Sequence, residues 1–151
     1  MSYHRRLLTY SKRYLAAAED LSKAGGEGWR FPVPHYLAFH AFELALKASL
    51  SERGCTEKAL IALGHDVEKV LKQVDTPVSA LLTANERIYV DWLNRVYRAK
   101  DFEYPRHLEH HHNELTIYRV PPARSVLRMV SKVVTHLDAQ FRSDARKALR
   151  K

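Results

Sequence analysis

Pro121-Pro122-Ala123-Arg124-Ser125-Val126-Leu127-Arg128-Met129-Val130-Ser131-Lys132-Val133-Val134-Thr135-His136-Leu137-Asp138-Ala139-Gln140-Phe141 is the stretch on which the fold turns. Leu127, Val130, Val134, Leu137 and Phe141 follow one another in steps of three, four, three and four. An α-helix turns once every ~3.6 residues, so these five side chains line one face, and the alternation a strand requires is missing. The proline pair marks the start, because the fixed φ of proline suits a first helical turn.

The same reading extends outward. Leu7, Tyr10, Tyr14, Ala17 and Leu21 mark one face of a first helix that stops near Gly25-Gly26, where glycine accepts left-handed dihedrals. A second helix starts after Pro32 and Pro34 and runs to about Arg53-Gly54. Leu37, Ala41, Leu44 and Ala48 mark one of its faces, and Phe39, Phe42, Leu46 and Leu50 a neighbouring one. Apolar coverage that wide predicts a central helix packed on more than one side. Thr56 caps a short helix through Leu63, and His65-Asp66 opens another after Gly64. Thr76-Pro77 reads as the start of a long helix with Leu81, Ile88, Trp92 and Val96 on one side and Tyr89 and Leu93 beside them, ending between Lys100 and Pro105. From Phe102 to Val120 the periodicity fails, which predicts a loop with a short helical turn; Leu115 to Val120 could form a short extended stretch. The expectation is an all-α, antiparallel helical bundle forming a single domain over residues 1–151.

Composition narrows the function classes. The chain has 151 residues, 46% of them hydrophobic, enough to bury a core. Lys and Arg number 25 against 17 Asp and Glu, a formal charge of +8 that suits contact with nucleic acid without proving it. Cys55 is the only cysteine, which excludes an intrachain disulfide and a Cys-based zinc knuckle. The basic start, Met1 to Arg6, is not followed by the apolar core of a signal peptide, and no run approaches the ~18 apolar residues of a membrane span. These features predict a soluble, cytoplasmic protein with no membrane partner.

The segment Arg106-His107-Leu108-Glu109-His110-His111-His112-Asn113-Glu114 is the most unusual in the chain. It admits three readings. The first is a solvated loop with no function. The second is a metal site, since His107 and His111 would share a helix face and Glu109 or Glu114 would add an oxygen ligand. The third is acid–base chemistry on RNA with no cofactor. Arg106 and His111 are separated by four residues; histidine moves protons near neutral pH, and guanidinium can steady the charge developing on a phosphate. The 2′-hydroxyl of RNA supplies its own nucleophile.

The second helix, Ala38-Phe39-His40-Ala41-Phe42-Glu43-Leu44-Ala45-Leu46-Lys47-Ala48, followed by Leu50, Gly54 and Leu63-Gly64-His65-Asp66-Val67, resembles the HEPN family (higher eukaryotes and prokaryotes nucleotide-binding). Tyr97-Arg98-Ala99-Lys100-Asp101-Phe102-Glu103-Tyr104-Pro105 is similar to the end of that family's third helix, where an arginine precedes a Tyr-Pro pair. The similarity spans roughly residues 8 to 140. It implies a four- to five-helix up-and-down bundle and a homodimer. In the family, an arginine and a histidine four to six residues apart form a metal-independent ribonuclease site at the dimer cleft, and Arg106 and His111 match that motif here. Here Arg106 follows Pro105 in an irregular stretch, whereas the family motif sits in helical context. Other members lack the motif and act as binding modules, often beside a nucleotidyltransferase in a toxin–antitoxin pair.

Several residues outside the motif carry expectations of their own. Glu43 and Lys47 are spaced for an intrahelical ion pair, and His40 shares their face. Asp66 is placed to cap the helix it precedes, and His65 to pack on the second helix. Arg5, Arg6, Lys12 and Arg13 open the chain, and Arg142, Arg146, Lys147, Arg150 and Lys151 close it. Antiparallel packing would join part of these groups into one surface suited to a phosphate backbone, with Arg142, Arg146, Lys147 and Arg98 as its nucleic-acid contacts. The alternative is a solvated, frayed helix end. Tyr97, Phe102, Tyr104 and Tyr118 could stack on bases or cover the end of the core. Two functions follow: a metal-free ribonuclease or RNA- or nucleotide-binding protein, and a non-catalytic interaction module with a partner such as a nucleotidyltransferase.

Overall fold

A computed structural model of the protein describes residues 1–25, 32–100, 102 and 120–150. These residues form seven helices and no strand: α1 (Tyr3–Ala24), α2 (Val33–Glu52), α3 (Glu57–Ala62), α4 (Val67–Leu71), α5 (Thr76–Ser79), α6 (Ala84–Arg98) and α7 (Ala123–Ala148). The all-α expectation holds for them. None of these helices is long and apolar enough to cross a membrane.

The core forms around α2, whose Phe39, Phe42 and Leu46 are fully buried. Against it pack Leu8, Leu15 and Ala18 of α1, Val90 and Leu93 of α6, and Val126, Met129, Val130, Val133 and Leu137 of α7. All five residues of the stripe read on α7 are buried, as its spacing predicts. The interface between α1 and α2 is the most extensive, and it is made close by small residues. Ala18, Ala38, Ala41, Ala45 and Ala48 have no exposed surface, and the Ser11 hydroxyl donates to the Ala41 carbonyl at 2.6 Å.

That close approach corrects the face read on α1. The buried residues are Leu8, Ser11, Leu15 and Ala18, whereas Tyr10 and Ala17 are exposed and Leu7, Tyr14 and Leu21 are half-buried. The seam selects small side chains and one satisfied hydroxyl over the larger aromatics, which the apolar spacing did not weigh.

The start of the long helix is corrected as well. Thr76 and Pro77 begin only the four-residue α5, and α6 starts after Thr83. Thr83 and Glu86 form a capping box: the Thr83 hydroxyl accepts the Glu86 N–H at 3.2 Å, and the Glu86 carboxylate accepts the Thr83 N–H at 2.7 Å. Glu86 also accepts an ion pair from Lys132 at 2.7 Å, which ties the start of α6 to α7. Register follows the cap. Val90, Leu93, Val96 and Tyr97 face inward, while Ile88 is 63% exposed. The other boundaries fall close to those expected: Gly25 (φ 70°) ends α1, the Thr56 hydroxyl caps α3, and the Asp66 carboxylate caps α4.

Candidate functional site

On the stripe Tyr36, His40, Glu43 and Lys47, successive residues step by four, three and four, so one polar line runs along an otherwise apolar helix. Glu43 is 1% exposed, and a carboxylate that deep must find partners. It has four. Lys47 donates to Oε1 at 2.5 Å, and the Tyr97 hydroxyl donates to Oε2 at 2.6 Å. His65 Nδ1 lies 3.1 Å from Oε2, and His40 Nδ1 lies 3.6 Å from the same oxygen. Burial pushes the Glu43 carboxyl up, but the nearby His40, the hydrogen bonds from Lys47 and Tyr97 and the Lys47 charge outweigh it and hold the group down to about 2.

The ionised state of Glu43 fixes the direction of every bond around it. A carboxylate only accepts, so His65 carries its proton on Nδ1. The single proton of the Tyr97 hydroxyl goes to Glu43, so His40, 2.6 Å from the Tyr97 oxygen, donates from its own Nδ1. Lys47 completes its shell with the Gly64 carbonyl at 2.7 Å. Gly64 sits at φ 59°, and its turn delivers His65 to the cluster. Lys47 therefore links α2 to the turn before α4, and Tyr97 links α2 to the end of α6.

A second knot joins the cluster on the α4 side. Asn94 is buried and bridges two elements, its amide donating to Asp66 Oδ1 at 3.1 Å and its carbonyl accepting the Val67 N–H at 2.8 Å. Asp66 also accepts the Lys69 N–H at 3.3 Å and faces Arg98 at 3.4 Å and the Lys69 ammonium at 3.7 Å. Burial raises the Asp66 carboxyl, while the Asn94 amide, the Lys69 N–H and the two cations pull it below its ordinary value.

Aromatic rings close the cluster. His40 stacks on Tyr36 at 6.0 Å and meets the edge of Tyr14 at 4.5 Å; Phe102 packs against Tyr36 and Tyr97. Phe102 sits where the chain leaves α6, and Pro121, where it enters α7, accepts a hydrogen bond from the buried His35 at 2.7 Å. Phe102 and Pro121 are thus both held by the first turn of α2.

A basic groove of about 310 Å³ lies between α1 and α7. Arg5, Lys12, Arg142 and Arg146 line it together with Leu8 and Phe141. Asp138 accepts Lys12 at 2.9 Å and Arg142 at 2.8 Å; the Lys12 bond leads in holding its carboxyl below the ordinary range. Arg5, Arg146 and Arg150 make no ion pair among the described residues. A neighbouring recess joins Arg142 and Arg146 to Lys147 and Arg150.

The expected site residues divide accordingly. Arg142 and Arg146 meet Arg5 and Lys12 of α1 in the groove, with Lys147 beside them. Arg98 lies away from that groove, on Asp66. Arg106 and His111, and the metal-ligand candidates His107, Glu109 and Glu114, lie outside the described residues. Glu43 and Lys47 do form the expected pair, but it is buried and part of a network. The sequence reading missed Tyr97 and Asn94 as the partners that complete it; a polar Asn94 beside the buried Leu93 was the available signal. No protein-family model, curated protein or solved structure matches this chain.

Proposed function

We propose that the chain is a HEPN-like protein that binds RNA and cleaves it without a metal, Arg106 steadying the phosphate charge and His111 moving the proton. The observation that carries this reading is the groove in which Arg5 and Lys12 of α1 meet Arg142 and Arg146 of α7. Among the described residues Asp138 is the one carboxylate lining it, so cationic charge remains for a phosphate backbone, whose contacts need no base reading. The network around Glu43 adds support, since it anchors Tyr97 and Arg98 at the end of the helix that leads toward Arg106. The four long helices as an up-and-down bundle, the homodimer, the cytoplasmic setting and a nucleotidyltransferase partner belong to the same proposal.

The test is cleavage of a mixed RNA pool by purified protein in EDTA, comparing wild type with Arg106→Ala and His111→Ala. Cleavage by wild type that is lost in both variants is the expected result. Wild-type protein that leaves the pool intact overturns the ribonuclease reading. The groove also favours a second reading, an RNA-binding module without catalysis, because it is complete without the motif. That reading expects salt-dependent RNA binding, weakened in Arg142→Ala/Arg146→Ala, with no cleavage.

A further inference from the structure

His65 has a feature that its place in the fold does not require. Asp66 caps α4 with its own carboxylate, and Glu43 already holds Lys47 and Tyr97. Yet His65 is tied by Nδ1 to Glu43 while its side chain is 61% exposed. With Nδ1 protonated and turned inward, the open edge of the ring carries Nε2, the basic nitrogen. A histidine oriented by a buried carboxylate, with its other nitrogen open, is an arrangement for general-base chemistry.

A cation stands on the same rim. Arg98 follows Tyr97, whose ring meets that of His65 at 5.5 Å. The Arg98 side chain is 56% exposed, and among the described residues its ion pair is with Asp66, the residue after His65. An exposed pair of this kind is weak and exchanges readily for a phosphate.

We propose that His65 and Arg98 form a proton-transfer subsite for an RNA phosphodiester, with Glu43 as the positioning residue that holds the His65 tautomer. The inference rests on the reading of the chain as an RNA-cleaving protein. His65 Nε2 takes the proton of the 2′-hydroxyl as its oxygen bonds to phosphorus. The bond from phosphorus to the 5′ oxygen breaks, and that oxygen takes up a proton from water. The products are a 2′,3′-cyclic phosphate and a 5′-hydroxyl end, and Arg98 neutralises the phosphate oxygens throughout. Around the base stand Glu43 and Tyr97, which it touches, His40 and Lys47 on Glu43, and Arg98 and Lys69 on Asp66, the next residue in the chain.

The experiment measures cleavage of a labelled RNA in EDTA by the full chain carrying His65→Ala, His65→Gln, Arg98→Ala or Arg106→Ala, beside wild type. His65→Ala and His65→Gln are expected to lower kcat on the order of 100-fold or more, with KM changed less than threefold and Tm within a few degrees of wild type. Added imidazole should restore part of the rate of His65→Ala and none of that of Arg106→Ala. Arg98→Ala should act mainly on KM. Nitrogen-correlated NMR of wild type should show His65 protonated at Nδ1. Full cleavage by both His65 variants, with Arg106→Ala inactive, overturns this inference alone. Absence of cleavage by wild type overturns the ribonuclease reading and this inference with it. A His65 ring protonated at Nε2 also overturns the subsite, whatever the cleavage result.

Discussion

α2 carries two stripes at the same helical spacing, and they hold the fold by opposite means. Ala38, Ala41, Ala45 and Ala48 form one, against which α1 lies close enough for Ser11 to reach the Ala41 carbonyl. Tyr36, His40, Glu43 and Lys47 form the other, and its partners come from the turn before α4 and from the end of α6. The alanine stripe works by contact, so its strength depends on shape and hardly on pH. The Glu43 stripe works by mutual satisfaction, so each member is favourable only while the others remain. Such a region adds little to stability over an apolar equivalent. It supplies direction instead, with named donors and fixed tautomers.

The largest break of this comparison is Glu43→Ala. It leaves Lys47 buried without its carboxylate and should cost about 3–5 kcal/mol in chemical denaturation. The pair variant Glu43→Ala/Lys47→Ala should cost less than the sum of the single changes, and additive losses would show that the network is not a unit. Acid gives the next effect. The Glu43 carboxyl titrates at about 2 in the fold against 4.5 in an open chain. Its contribution is therefore fully present above about pH 4.5 and is lost as pH falls toward 2, a loss of about 3 kcal/mol at 1.36 kcal/mol per unit. Denaturation midpoints from pH 6 to pH 2 test this, and Glu43→Gln should flatten much of the slope.

The alanine stripe should respond to size. Ala41→Leu forces α1 away and should cost about 1–3 kcal/mol at pH 7 and at pH 4 alike. A pH-dependent cost would break the contrast. The smallest effect concerns the delivery of Tyr97 to Glu43. Thr83→Ala removes the α6 cap and should cost about 1 kcal/mol, whereas Thr76→Ala, where no side-chain cap exists, should cost a few tenths at most. Thermal melts of the two variants compare them directly.

What could be read along the chain was what spacing encodes. The stripe on α7 and the limits of α2 follow from periodicity and from proline, and the structure agrees with both. Thr76-Pro77 and Thr83-x-x-Glu86 are both start signals, and the reciprocal box sets the start of α6. The α1 face departs from its apolar spacing because tight packing on alanines favours Ser11 over Tyr10, a preference set by the partner helix. At the site, His40, Glu43 and Lys47 were visible as one polar face. Tyr97 was not, since it comes from a different helix and nothing local marks that approach. The basic ends of the chain were legible as charge, and their meeting followed from the expected antiparallel packing.

The alanine seam also bears on how the molecule assembles. α1 and α2 are consecutive in sequence and share the most extensive interface, so their contacts close a short stretch of chain and should form early. Glu43 then belongs to the half that folds first, while His65 and Tyr97 arrive with α4 and α6. Until they dock, the carboxylate has only Lys47 and His40 of its own helix as partners, and the edge that later carries the site stays wet. In native-state hydrogen exchange the amides of α1 and α2 should open only with global unfolding. Those of α4 and α6 should open at lower energy, exposing His65, Tyr97 and Arg98 together.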